Sequence, residues 1–269
     1  MRKQADSMDI PYAEPSRAWY AFQVGAHYAY LCYPRHPLDI RIFTGIYTWI
    51  AVLVDDEASK DPEQWQHFMS RFYNNGEQPS TIAQAWADML RLCNRFYSPV
   101  AASSIVTSSL KFVNANVLQG LEVPKMTQTM GGEAWAYYLR DMDGLAEAYV
   151  WLTFPGLDVS SYMEAIPDMN KYLVFTNDIW SFYKEECAGE KDNYINLRAI
   201  YEKKGAHEVF QDVAHEAKDA FNRIRGVLGG NELAARAWHD HAVGYVAMHT
   251  SSARYRLDEI GLAENLPIF

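Results

Sequence analysis

From Ser16 to Ile260 the apolar residues recur with the period of an α-helix, and the alternation that marks a half-buried strand is nearly absent. That pattern restricts the chain to helix packed on helix. Polar or proline boundaries predict helices over 16–32, 37–57, 62–73, 81–97, 101–121, 133–154, 160–186, 207–227 and 231–260. Gly144 interrupts the sixth of these, Pro155-Gly156 stops it, and Pro167 marks a break near the start of the seventh. Val52-Leu53-Val54 is short and lies inside a helical context. The linkers, such as Asn74-Asn75-Gly76-Glu77 and Gly229-Gly230, are too short for interdomain tethers. The expectation is one all-α domain over 1–269, a bundle around a central space, with residues 1–15 as a flexible N-terminal segment.

Composition narrows the function classes. The chain is 49% hydrophobic and 14% aromatic, enough for a sizeable core and suggestive of an aromatic-lined cavity. A formal charge of −10, with no run of Lys and Arg, argues against a nucleic-acid partner, because phosphate backbones are bound by cationic surfaces. An acidic protein can still bind a polyanion when divalent cations bridge the two. Cys32, Cys93 and Cys187 form no CxxC and fit a reducing compartment. Residues 1–15 lack an apolar signal core, and no window approaches the ~20 apolar residues of a membrane span. A cytoplasmic protein without a membrane span is expected.

The chemistry concentrates in Asn177-Asp178-Ile179-Trp180-Ser181-Phe182-Tyr183-Lys184-Glu185. Asn177, Ser181 and Glu185 stand at i, i+4 and i+8, one helical stripe drifting by roughly 40° per step. Amide, hydroxyl and carboxylate are hard oxygen donors suited to Mg²⁺. Lys184 adds a cation beside Glu185 that can hold an anion bridged by such a metal. This is the pattern of a metal-diphosphate site.

Three further groups are open to two readings each. Asp55-Asp56-Glu57 ends an apolar run and reads either as a metal site or as a solvated helix C-terminus, although acids there oppose the macrodipole. Arg140 and Asp143 are one turn apart beside Gly144: a guanidinium oriented by a carboxylate at a helix kink, or an ordinary surface ion pair next to a packing glycine. Arg254-Tyr255 offers donors matched to phosphate oxygens, or a helix-end charge with an amphipathic neighbour. His239 and His241 point to different helix faces, which disfavours zinc and leaves partly exposed histidines as the default. No Gly-rich phosphate loop or GxSxG elbow is present in the sequence.

Taken in order, these groups resemble the class I terpene synthases, in particular the fungal trichodiene-synthase-like branch. The 177–185 stretch matches that family's second metal motif, and Asp55-Asp56-Glu57 sits where its aspartate-rich motif stands. Arg140, Asp143 and Gly144 match its diphosphate sensor, linker and effector, and Arg254-Tyr255 its C-terminal diphosphate-binding pair. The resemblance implies an isoprenoid-synthase helical bundle around an active-site cavity, three Mg²⁺ ions and a prenyl diphosphate substrate. It implies Asp55, Asn177, Ser181 and Glu185 as metal ligands. Arg140, Lys184, Arg254 and Tyr255 become hydrogen-bond donors to the diphosphate.

The implied activity is a carbon–oxygen lyase that ionises farnesyl diphosphate and cyclises the carbocation to a sesquiterpene. Geranyl or geranylgeranyl diphosphate is the alternative substrate, and a non-catalytic isoprenoid-binding helical protein the lesser alternative. A chain-elongating prenyltransferase is disfavoured, since it is expected to carry a second aspartate-rich motif where 177–185 stands. Relatives make either a monomer or a homodimer the expected assembly. Two positions depart from the pattern. Ala58 and Ser59 stand where the aspartate-rich motif often continues with a further acid, which makes Asp55 the safer ligand. Met248 stands where relatives often carry an aromatic residue, and a thioether offers no cation–π face. Tyr47, Trp49, Tyr138, Phe175 and Trp180 are candidates for a cavity lining.

Overall fold

In a computed structural model, residues 1–264 are described. In chain order they form α1 (Arg2–Ala5), α2 (Arg17–Leu31), α3 (Leu38–Ala58), α4 (Pro62–Trp65), α5 (Phe68–Tyr73), α6 (Thr81–Phe96) and α7 (Pro99–Leu121). These are followed by α8 (Ala134–Asp143), α9 (Ala146–Leu152), α10 (Ile166–Ala188), α11 (Tyr194–Glu202), α12 (Ala206–Leu228) and α13 (Glu232–Ser251). No strand occurs among the described residues, and none of their helices is long and apolar enough to cross a membrane. The all-α expectation is met. The chain divides into two compact units, one of residues 1–127 with 147–156 and the other of 128–146 with 157 onward.

The first unit is organised by α3, which is apolar nearly all round and therefore buried on most faces. Its polar interruptions are satisfied within the helix, Thr44 Oγ1 donating to the Ile40 carbonyl and Thr48 Oγ1 to that of Thr44. α2 packs directly on it because Gly25 faces Gly45: a Cβ on Gly25 would lie 2.3 Å from the Gly45 carbonyl oxygen and 2.9 Å from the Trp49 nitrogen. Residues 1–15, expected to be flexible, are instead packed here. Ala5 and Ile10 are buried, and the Tyr12 ring lies 4.8 Å from Phe22 and 5.3 Å from Trp49. Their apolar residues are too scattered to show a period, so only the partner surface reveals their place.

The second unit is built on α10. Tyr172 meets Phe221 of α12 at 5.5 Å and Trp238 of α13 at 5.6 Å, and Phe182 meets Phe210 of α12 at 5.2 Å. Pro167 falls in the first turn of α10, where its missing N–H costs no hydrogen bond, so it starts the helix rather than breaking it. Gly189 closes α10 in the left-handed conformation.

Three further boundaries differ from the sequence reading, and the interruption expected at Gly144 is present. The 62–73 helix is two short helices, α4 and α5. α11 was not expected; Asn193 caps it by accepting the Asn196 N–H. At the expected interruption α8 ends at Asp143 with Gly144 as its cap and α9 begins at Ala146, Leu145 between them taking φ 51°, a left-handed conformation unusual for leucine. The 231–260 helix stops at Ser251, because Ser252 turns extended and its side chain accepts the Arg254 N–H. Arg254 and Tyr255 consequently sit on a 3₁₀ turn (Ala253–Tyr255), not on a helix.

Candidate active site

The second unit brings Arg140, Asp143, Gly144, Asn177, Ser181, Lys184, Glu185, Arg254 and Tyr255 together in one compact body. α10 carries the oxygen stripe. Asn177, Lys184 and Glu185 are half-buried and Ser181 is buried at 2% exposure. The Ser181 hydroxyl has no hydrogen-bond partner among the described residues. A buried orphan of this kind is uncommon in folded proteins, and a metal ligand is one of its recognised explanations.

α8 presents Arg140 to this stripe. Its Nη1 donates to Asp143 Oδ1 at 3.0 Å, the pairing expected from the one-turn spacing. Its Nη2 donates to Asn177 Oδ1 at 2.9 Å, and its Nε forms an ion pair with Asp178 Oδ1 at 2.8 Å. Desolvation opposes the guanidinium charge, but Asp178 and Asp143 outweigh it and hold the pKa above its ordinary value. Burial pushes the Asp178 carboxyl up to about 7, against the opposing pull of Arg140, with Asp143 and Glu185 adding to the rise.

Gly144 is required here for a different reason from a kink. It keeps a right-handed conformation at φ −69°, but an added Cβ would lie 2.5 Å from Val174 Cγ1 and 2.9 Å from the Arg140 carbonyl oxygen. The glycine lets α8 approach α10 closely, and the irregular backbone falls on Leu145.

The lower end of the stripe is cationic. Lys184 Nζ lies 3.0 Å from Glu185 Oε1. Arg254 is exposed, while Tyr255 is buried, with desolvation raising its pKa to about 12 and Arg254 opposing. Residues of the same body that sequence reasoning passed over complete the cluster: Asp178, the ion-pair partner of Arg140, and His249 near the end of α13. The His249 ring is 4.5 Å from both Tyr245 and Tyr255, and its Nε2 is 3.2 Å from Asn177 Nδ2. Its pKa falls to about 4, chiefly through burial, with Lys184 and Arg254 adding to the effect and its bond to the Tyr245 carbonyl opposing. No spacing in the sequence links His249 to Asn177. His241, expected to be partly exposed, is fully buried, whereas the His239 side chain is 67% exposed.

Asp55, Asp56 and Glu57 belong to the first unit, at the C-terminal end of α3, and they diverge. Asp55 is exposed. Asp56 forms an ion pair with Arg17. Glu57 Oε1 accepts from Trp65 Nε1 at 3.1 Å and from Ser80 Oγ at 2.5 Å, tying α3 to α4 and to the N-terminus of α6. Glu57→Ala is accordingly expected to lower stability by about 1.5–3 kcal/mol, the range for a charge-assisted hydrogen bond, without loss of Mn²⁺ binding. Thermal unfolding and metal titration of the purified variant check this, and weakened metal binding in a fully folded sample would reassign Glu57 to the metal site.

Of the aromatic residues named as lining candidates, Tyr47, Trp49 and Phe175 are fully buried and packed. The Tyr47 hydroxyl is 2.7 Å from Ser109 Oγ, and Trp49 Nε1 donates to the Ala18 carbonyl. Tyr138 is 56% exposed and Trp180 half-buried.

Among the described residues no three His, Cys, Asp or Glu side chains cluster as a metal site. The donor set of the stripe is amide, hydroxyl and carboxylate, which suits a hard cation. Comparison with known proteins agrees in kind. The family model described as trichodiene synthase (TRI5) matches residues 4–265. This chain belongs to the trichodiene synthase family.

It is a terpene synthase, with named relatives along almost its full length. Longiborneol synthase CLM1 of Gibberella zeae is 37% identical across 97% of this chain and 79% of its own length. Terpene synthase BipA of Cochliobolus sativus is 35% identical across 96% of this chain and 80% of its own. The crystal structure of linalool/nerolidol synthase from Streptomyces clavuligerus superposes with a TM-score of 0.71 over 92% of both chains at 12% identity, which establishes the shared isoprenoid-synthase helical fold.

Proposed function

We propose that this terpene synthase is a Mg²⁺-dependent cyclase that ionises farnesyl diphosphate and closes the carbocation into a sesquiterpene, releasing diphosphate. The observation that carries the reading is the α10 stripe, with the unpartnered Ser181 hydroxyl between Asn177 and Glu185 and Arg140 against its upper end. Asn177, Ser181 and Glu185 would hold one ion, and Asp55 is the ligand expected for two others. When bound, Mg²⁺ supplies positive charge that stabilises the departing diphosphate. Arg140, Lys184, Arg254 and Tyr255 donate hydrogen bonds to the same anion.

Both ends of the stripe already engage protein cations: the Asn177 amide oxygen accepts from Arg140, and Glu185 is ion-paired with Lys184. Diphosphate therefore competes with the stripe for these cations, and its arrival frees the stripe oxygens for metal. Anion and metal binding reinforce each other on this arrangement. The later steps require that water be excluded from the carbocation and that apolar or aromatic surface face it. The chain acts as a single catalytic domain, as a monomer or homodimer. The free thiols Cys32, Cys93 and Cys187 suit the cytoplasm.

The C15 assignment rests on family membership. Incubation with geranyl, farnesyl and geranylgeranyl diphosphates plus Mg²⁺, with mass spectrometry of the volatile products, tests it. A cyclic C15 hydrocarbon or alcohol from farnesyl diphosphate is expected, with no product when chelator replaces Mg²⁺. Preferred turnover of the C10 or C20 substrate would overturn the chain length, and absence of diphosphate release from all three would overturn the activity.

A further inference from the structure

We propose that His249 is a positioning residue that fixes the carboxamide of Asn177 with its oxygen turned toward the metal. This rests on the reading of Asn177 as a metal ligand.

The argument follows the direction of the hydrogen bonds. His249 is 0% exposed, and its Nδ1 lies 2.7 Å from the Tyr245 carbonyl oxygen. A carbonyl only accepts, so Nδ1 carries the hydrogen. In the neutral ring Nε2 is then a bare acceptor, and the atom 3.2 Å from it is the amide nitrogen of Asn177. The amide oxygen is consequently directed to the other side, where Arg140 Nη2 donates to it at 2.9 Å. The opposite amide orientation would set NH₂ against a guanidinium that can only donate, and oxygen against an imidazole lone pair. Both neighbours exclude it, and the carboxamide has a single orientation.

Each partner contributes something the other lacks. Arg140 orients the oxygen but also occupies it, and the proposed reaction draws Arg140 toward the diphosphate. Once Arg140 leaves, His249 is the contact that keeps the amide from rotating. The imidazole is itself held between the Tyr245 and Tyr255 rings, each at 4.5 Å. Tyr255 is one of the diphosphate donors, so the ring that orients the metal ligand also rests on a residue facing the substrate.

A core histidine that merely fills space is the competing account, and the two diverge on which replacement restores function. His249→Phe keeps a ring between the tyrosines but removes the acceptor. His249→Gln restores an acceptor oxygen on a non-aromatic chain. Binding of Mn²⁺ in the presence of inorganic diphosphate, read as loss of the free Mn²⁺ electron paramagnetic resonance signal, is the measurement. His249→Phe is expected to weaken this binding by about 10–100-fold, the range for an outer partner of a metal ligand, and His249→Gln to recover most of the loss. Thermal unfolding confirms that each sample is folded, and His249→Leu replaces the Phe variant if that one is not.

Equal Mn²⁺ affinities in the acceptor-less and Gln variants, both normal or both impaired, would overturn the proposal. Asn177→Ala separates its failure from that of the underlying reading. If Asn177→Ala binds Mn²⁺ as wild type, the metal role of the stripe falls and takes this inference with it. If Asn177→Ala is impaired while His249→Phe is normal, only the positioning role is lost.

Discussion

Alanine at Asn177 or at Glu185 is expected to reduce turnover of a prenyl diphosphate by at least ~10²–10³-fold, the scale for removing one group that stabilises developing charge. The fold should persist. Neither side chain belongs to the apolar core; Glu185 gives up its ion pair with Lys184, and Asn177 its hydrogen bonds with Arg140 and His249. Circular dichroism and thermal unfolding should be close to wild type, while Mn²⁺ binding with diphosphate should be weakened in both variants. Ser181→Ala is informative beside them, because it removes a hydroxyl that has no partner among the described residues. A purely structural α10 would tolerate that change or be stabilised by it, since removing an unsatisfied buried polar group lifts a penalty. Wild-type rates in the folded Asn177 or Glu185 variant would contradict the assignment of the stripe.

Arg140→Ala is expected to act twice, on stability and on ionisation of the substrate. Arg140 and Asp178 are 15% and 8% exposed at their side chains, and removing one partner of a buried ion pair leaves the other charge uncompensated, at a cost of about 3–5 kcal/mol. The pH dependence has a definite sign. The folded-state pKa of Asp178 is already raised to about 7, above the ordinary carboxylate value, so its protonated form favours the folded state. That contribution is present at low pH and lost as pH rises through about 7. Without Arg140 the pull toward ionisation disappears and the folded pKa rises further. The destabilisation of Arg140→Ala should therefore be smallest below pH 7 and grow as pH rises above it, measured by denaturant unfolding.

The double variant Arg140→Ala/Asp178→Asn isolates the chemical role. It removes the unpaired carboxylate and is expected to regain most of the lost stability, yet not the rate of diphosphate release in a single turnover. An unchanged single-turnover rate in either folded variant would sink the sensor role of Arg140. Recovery of rate along with stability would make Arg140 a structural residue.

How much of this site was legible in the sequence depends on the range of each interaction. The Asn177, Ser181 and Glu185 stripe and the Arg140–Asp143 pair were readable because both arise within one helix, where spacing alone sets which side chains share a face. Gly144 was noticed for its weak helix propensity, but its actual reason is Val174, thirty positions away in the chain and in contact only after folding. Sequence sets Asp55 apart as the safer ligand but assigns Glu57 no partner, because Trp65 and Ser80 reach it only through packing. Asp178 passed as the filler of a motif, and its ion pair with Arg140 bridges two helices. The turn at Ser252 escaped the periodic pattern because a side-chain hydrogen bond, not a change of hydrophobicity, ends α13.

The sequence by itself determined an all-helical chain, the ordered set of groups that marks the family, and the oxygen donors on α10. All of these depend on residue type and on the 3.6-residue helical repeat, which act over one or two turns. Only the tertiary structure decided which acids remain exposed and which are tied into the fold. It also decided that Arg140 rests on Asn177 and Asp178, and that a buried histidine bonds to the Asn177 amide. The physical reason is that a hydrogen bond between two helices requires both donor and acceptor to be positioned by packing. Burial then gives that bond its weight, by removing the water that would otherwise compete for each group.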